Sequence, residues 1–201
     1  MNKDLLAIAK PILFNTEMVQ AILSGRKTHT RRVIKPKYRN DEYGFQVITT
    51  RIGEFVRVEK VDENECAIFA DGTERYVTPP YQPSDILYVR ETWAKNAYGG
   101  YFYKANNKCE VFSWNPSIHM PKEAARTLLR VTSVTVERLQ DITPKQCIME
   151  GVEPQDLEIG DEFVRWVFNC LWDSTIKPAD IEKYGWDANP WVWDIGFEVV
   201  T

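Results

Sequence analysis

The segment that closes the chain, WVWDIGFEVV (191–200), limits the possible folds more than any other. Trp191, Trp193, Ile195, Phe197 and Val199 alternate with Val192, Asp194, Gly196, Glu198 and Val200, the two-residue period of a β-strand. Apolar residues occur on both faces, so the strand needs neighbours on each side and cover above and below, as in a closed sheet. At 201 residues the chain can bury one sizeable core, and a second independent domain would be cramped. The expectation is an α+β single domain over 1–201: a closed sheet with short flanking helices and hairpin insertions at about 38–83 and 94–125.

The remaining segments fill in that plan. TEMVQAILSG predicts a helix capped by Thr16, with an apolar stripe of Met18, Val19, Ile22 and Leu23 and a left-handed end at Gly25. FQVITTRIG, EFVRVEKV, ECAIFADG and ERYVT read as short hairpin strands without chemistry of their own, and GYFYKA as one more strand. After the turn at Ser84-Asp85, LYVRETW alternates strictly, with Leu87, Val89 and Glu91 on one face and Tyr88, Arg90 and Thr92 on the other. The prolines flanking Ser117-Ile118-His119-Met120 predict an extended, rigid connection. In LLRVTSVTVERL the parity changes around Thr132 to Val134, where a β-bulge fits. Residues 161–173 predict the longest helix, with Phe163, Trp166, Val167, Cys170 and Leu171 facing the core.

ITPKQCIMEG has a full helix signature: Thr143 as cap, Pro144 first, Gln146 completing a capping box and Gly151 as terminator. Glu150 falls in its last turn, where the helix dipole disfavours a carboxylate, so a cationic partner such as Lys27 is expected.

Charge is concentrated in one place. The chain carries a net charge of −4, yet residues 25–39 hold Arg26, Lys27, Arg31, Arg32, Lys35, Lys37 and Arg39 without one Asp or Glu. An acidic protein does not coat phosphate backbone over its whole surface, so any nucleic-acid contact is local. In GRKTHTRR (25–32), an extended chain puts Thr28, Thr30 and Arg32 on one face and Lys27, His29 and Arg31 on the other; Lys27 and Thr30 meet only if the preceding turn breaks that alternation. Cys66, Cys109, Cys147 and Cys170 are scattered, with no CxxC pair and only His29 and His119 to join them, which predicts reduced, mostly buried thiols and neither metal nor disulfide. No apolar run approaches the ~20 residues of a membrane span, and LLAIA is too short for a secretory signal, so the expected compartment is the cytoplasm.

With GRKTHTRR, PSDILYVRETW and LQDITPKQCIMEG in that order, the sequence resembles the ASCH domain family of small PUA-like β-barrels. The runs WNPSIHMPK and GWDANPWVW are similar to those of longer phage and prophage members. The family's Gly-x-Lys-Thr-x-Thr-x-Arg pattern, which borders a central cleft, matches Gly25, Lys27, Thr28, Thr30 and Arg32. A compact bacterial subgroup hydrolyses acetylated cytidines; the resemblance puts its catalytic lysine, threonine and glutamate on Lys27, Thr30 and Glu150. This chain is about twice the length of those enzymes, with His29 and Arg31 where they carry isoleucine.

Three functions follow as expectations. The first is binding of RNA (ranked ahead of DNA) or a modified nucleoside in the basic cleft, with Gly25, Arg26, Thr28, Arg31, Arg32, Arg90, Glu91 and His119 as ligand contacts. The second is an amidohydrolase acting on an acylated nucleoside, in which Thr30 attacks, Lys27 accepts its proton and Glu150 orients Lys27 or serves as a proton carrier. The third is a phage accessory protein that binds a host protein through the insertions. No cofactor is implied by any of them. Without the resemblance, Lys27 and Glu150 read as a salt bridge closing the barrel, Thr30 as a β-former and His119 as a structural histidine.

Overall fold

The computed structural model describes residues 3–34, 55–61, 64–69, 74–77, 79–95, 98–106, 113–153 and 160–200. In chain order the elements are α1 (Lys3–Ile8), β1 (Lys10–Leu13), α2 (Thr16–Leu23), β2 (His29–Val33), β3 (Phe55–Val61), β4 (Asn64–Phe69), β5 (Glu74–Val77), β6 (Ile86–Arg90), β7 (Trp93–Lys95) and β8 (Tyr101–Tyr103), followed by β9 (Leu128–Arg138), α3 (Pro144–Met149), α4 (Asp161–Thr175), α5 (Ile181–Tyr184) and β10 (Trp191–Val200). The chain is thus a mixed α+β protein. None of the described helices is long and apolar enough to cross a membrane.

Five strands form the main sheet in the order β1-β6-β9-β10-β2, parallel only between β1 and β6. The closing segment is an inner strand, buried on both faces from Val192 to Phe197. The closed sheet expected from it is not formed by the described strands, because β1 and β2 remain edges. Other groups do the closing. The Arg32 guanidinium donates to the Leu13 carbonyl (Nη2–O 2.9 Å), joining the two edge strands. Val19 and Ile22 of α2 pack into the same core as Ile12, Ile34, Leu87, Val89, Trp193 and Ile195. The free edge of β2 is taken by the end of α3: the Thr28 N–H donates to the Met149 carbonyl (2.9 Å) and the Arg31 N–H to Glu150 Oε1 (2.6 Å). A helix end therefore satisfies backbone donors that another strand would otherwise meet.

The outer face of β10 rests on α3 and α4, where Val192 packs with Cys147, Val164, Phe168 and Trp172. The bulge sits where parity predicted it: Gly196 pairs with Ser133 and Phe197 with Val131, leaving Thr132 as the extra residue. The α3 capping box forms as expected. Gly151 after it has φ +111°, and a Cβ there would lie 3.1 Å from the Met18 side chain, so both conformation and packing on α2 require glycine.

Several expectations are corrected. Asn15, not Thr16, caps α2, its side chain accepting from the Met18 N–H at 2.8 Å; Asn15 is the last extended residue and Thr16 is already helical. Of the expected α4 stripe, Val167 and Leu171 pack against the core, but its buried line is Val164, Phe168 and Trp172, while Trp166 is 58% exposed and Cys170 is exposed. The helix is turned so that the Trp172 indole donates to the Tyr184 carbonyl (2.8 Å) and Phe168 meets Trp186 edge-on. Between the prolines the chain is not extended. Pro116 and Pro121 are, but each is followed at once by a 3₁₀ turn, Ser117–His119 and Lys122–Ala124, because the fixed proline φ also suits the residue flanking a helical start. The insertions form an antiparallel β3-β4-β5 sheet and a β7-β8 hairpin; FQVITTRIG lies outside the described residues. Of the cysteine side chains, Cys147 is buried as expected, and Cys66 and Cys109 fall outside the described ones.

Candidate functional site

Gly25 (φ +76°) ends α2, and the N–H groups of Arg26 and Lys27 both turn back to the Ala21 carbonyl (2.9 and 3.0 Å). This turn takes Lys27 out of the β2 register. Its ammonium lies 5.7 Å from the centre of the Phe14 ring, and the Arg32 guanidinium lies 5.5 Å from the same ring. Thr30 pairs with Ile195 and Arg32 with Trp193, so both stand on the inner, core-facing side of the sheet. His29 and Arg31 pair with Gly196 and Asp194 and stand on the outer side.

Lys27 has 1% of its side chain exposed, and its ammonium donates to the carboxylate (Oε2) and the carbonyl of Glu150, each at 2.6 Å. The expected partnership with the helix-terminal carboxylate is therefore formed. Burial pushes the Lys27 ammonium below the usual lysine range, assisted by Arg32 and Arg31 and opposed by Glu150. For Glu150, burial raises the value, but the charges and hydrogen bonds of Lys27 and Arg31 prevail and hold the carboxyl below the usual range. Its other oxygen accepts from the Arg31 N–H and from Arg31 Nη1 (3.2 Å). Arg31 continues outward: Nε donates to Glu137 Oε1 (2.6 Å), while Nη2 lies 2.5 Å from that oxygen without hydrogen-bond alignment and 3.7 Å from Asp194 Oδ2. Burial depresses Arg31, and Glu150, Asp194 and Glu137 together raise it above the ordinary value.

Within GRKTHTRR the positive charge is thus largely neutralised by carboxylates of this chain. Arg26 pairs with Glu153 at 2.8 Å, Lys27 with Glu150, and Arg31 with Glu137 and Glu150. Arg32 alone among the described cations of GRKTHTRR has no carboxylate partner; burial holds its guanidinium below the usual value, against Glu150 and Tyr81. Thr30 is buried, and its hydroxyl makes no hydrogen bond to another described residue. Thr28 shares a hydrogen bond with His29 Nδ1 (3.0 Å) and accepts the Phe197 N–H at its carbonyl.

The downstream residues form a separate cluster. Arg90 donates to the carbonyls of Met120 (3.1 Å) and Ile118, clamping the proline-flanked turn, and His119 of that turn is exposed. Glu91, 1% exposed, accepts from Arg126 Nε at Oε1 (2.7 Å) and from Arg126 Nη2 at Oε2 (2.8 Å), and the Arg126 guanidinium lies 4.1 Å from the Tyr103 ring centre. None of the three shares a hydrogen bond or ion pair with Lys27, Thr30 or Glu150 among the described residues. Sequence reasoning missed Phe14, Tyr81 and Arg126. Phe14 and Tyr81 flank Arg32, and no local pattern marks an aromatic residue in a connection as a wall; Arg126 could have been suspected from the carboxylate expected on an apolar face at Glu91.

Chemically, two of the three Lys27 ammonium donors are committed to Glu150, and both Glu150 oxygens are committed to protein donors. Glu150 fixes the edge of β2 through Oε1 and positions Lys27 through Oε2. The inner side carries a cation (Arg32), a hydroxyl (Thr30) and two aromatic rings (Phe14 and Tyr81) at the margin of the core. Comparison of the chain with protein-family models, curated protein sequences and solved structures returned no match.

Proposed function

We infer that the chain is a PUA-like domain of the ASCH type that binds a modified nucleoside, or one nucleotide of an RNA strand, on the inner side of β2. The observation that carries this is Arg32: a partly buried guanidinium without a carboxylate partner among the described residues, beside two aromatic rings and on the same strand face as Thr30. A guanidinium beside aromatic surface suits a planar base bearing a carbonyl or phosphate oxygen. Internal pairing of Arg26, Lys27 and Arg31, and the net charge of −4, argue for one such group rather than a tracked phosphate backbone. Calorimetric titration with cytidine, N4-acetylcytidine, short RNA and the matching DNA tests it. Saturable binding of a nucleoside or RNA, weakened about tenfold by Arg32→Met, is expected; no binding to any of the four overturns it.

A second reading, amide hydrolysis, is favoured by the lowered Lys27 value, since only a neutral lysine accepts the proton of an attacking Thr30. Turnover of N4-acetylcytidine that disappears in both Lys27→Ala and Thr30→Val supports it. Turnover unchanged in either variant removes it.

A further inference from the structure

The outer face of β2, β10 and β9 carries a polar grid that the inner cleft does not use. His29, Gly196 and Ser133 form one row across the three strands, and Arg31, Asp194 and Thr135 the next. Gly196 lets neighbouring side chains converge. A Cβ at that position would lie 2.4 Å from Ser133 Oγ, 3.0 Å from Thr132 Oγ1 of the bulge and 3.2 Å from His29 Nε2, and among the described residues none of these three atoms hydrogen-bonds another. Ser133, Thr132 and Thr135 open to solvent, whereas Gly196 and Asp194 are buried.

Asp194 stands next to Gly196 on the same face with only 9% of its side chain exposed. Among the described residues its Oδ1 has no hydrogen-bond partner, and its Oδ2 reaches only Arg31 Nη2, at 3.7 Å. A buried, unsatisfied carboxylate oxygen is costly and calls for a donor. Charge indicates which donor. The connected network holds two cations, Lys27 and Arg31, against three carboxylates, Glu137, Glu150 and Asp194, so with a neutral His29 beside Asp194 it is one positive charge short.

We propose that this outer-face grid is a binding site for a primary ammonium group, with Asp194 Oδ1 as counter-ion and the acceptors that converge over Gly196 in the next row, Ser133 Oγ, Thr132 Oγ1 and His29 Nε2, as its further partners. An ammonium has three donors and one charge, which matches one orphan carboxylate oxygen and the nearby neutral acceptors. The source is a free amine or a lysine side chain, and the site is independent of the inner cleft.

Calorimetry on the full chain tests this with methylammonium, Nα-acetyl-lysine amide, tetramethylammonium and magnesium chloride. Saturable binding of one or both primary-amine probes is expected, with tetramethylammonium, which has no N–H, inert; the stronger of the first two identifies the source. Asp194→Asn is expected to weaken that binding about tenfold or more. If Asp194→Asn does not fold, Thr132→Val with Ser133→Val, both at exposed positions, is expected to weaken it several-fold. No saturable binding of either primary amine, equal binding of tetramethylammonium, binding of magnesium alone, or affinity unchanged in a folded variant overturns the proposal.

Discussion

Glu150 and Asp194 are both buried carboxylates that meet Arg31, yet their surroundings are opposite. Glu150 accepts from Lys27 and twice from Arg31, two of those bonds at 2.6 Å, and sits below its usual titration range. Asp194 leaves one oxygen orphaned, and burial, outweighing Arg31 and His29 and supported by Glu150 and Glu137, lifts it above the usual range. Burial is common to both, so it does not separate a structural carboxylate from one that seeks a ligand. Donor saturation does.

The largest effect is expected at the saturated member. Glu150→Gln leaves Lys27 buried beside a neutral amide and is expected to cost about 3–5 kcal/mol in denaturant unfolding, as for a broken buried ion pair; a loss below about 1 kcal/mol would make the two carboxylates equivalent. The pH dependence should also differ in sign. Because the folded value of Glu150 lies below its ordinary 4.5, its contribution is fully present above that pH and lost as pH falls through the lowered value. For Asp194, raised from 3.8, stability is instead lost as pH rises from there through the folded value. Acid unfolding curves should therefore flatten in Glu150→Gln, and Asp194→Asn should leave stability at neutral pH unchanged or raise it by up to about 1 kcal/mol.

Arg32→Met should cost about 1 kcal/mol or less, the worth of its bond to the Leu13 carbonyl, while weakening nucleoside binding about tenfold. Equal affinity in the variant would move the cleft away from the inner face. The smallest change is expected for Arg26→Ala, whose pair with half-exposed Glu153 is worth about 0–1 kcal/mol in thermal or denaturant unfolding.

Much of the frame was legible in sequence because it depends on local periodicity. The β10 alternation, the bulge at Thr132, the α3 capping box and the need of Glu150 for a cation all come from parity, cap chemistry and the helix dipole. What failed depends on tertiary contacts. The stripe of α4 is decided by Trp172 and Phe168 meeting Tyr184 and Trp186, and many rotations of an aromatic-rich helix look equally amphipathic. Whether the sheet closes depends on what fills the β2 edge, which is a helix end 119 residues away from Arg31. In GRKTHTRR, the charge run located Lys27, Arg31 and Arg32, but not that two of them are neutralised internally by carboxylates distant in the chain.

A structure of the chain crystallised with N4-acetylcytidine or a short RNA separates the possibilities for the inner cleft. The base is expected beside Phe14 and Tyr81, with a carbonyl or phosphate oxygen within hydrogen-bond distance of the Arg32 guanidinium and Glu150 still bonded to Lys27. A ligand bound elsewhere, with Arg32 untouched on the Leu13 carbonyl, would contradict it.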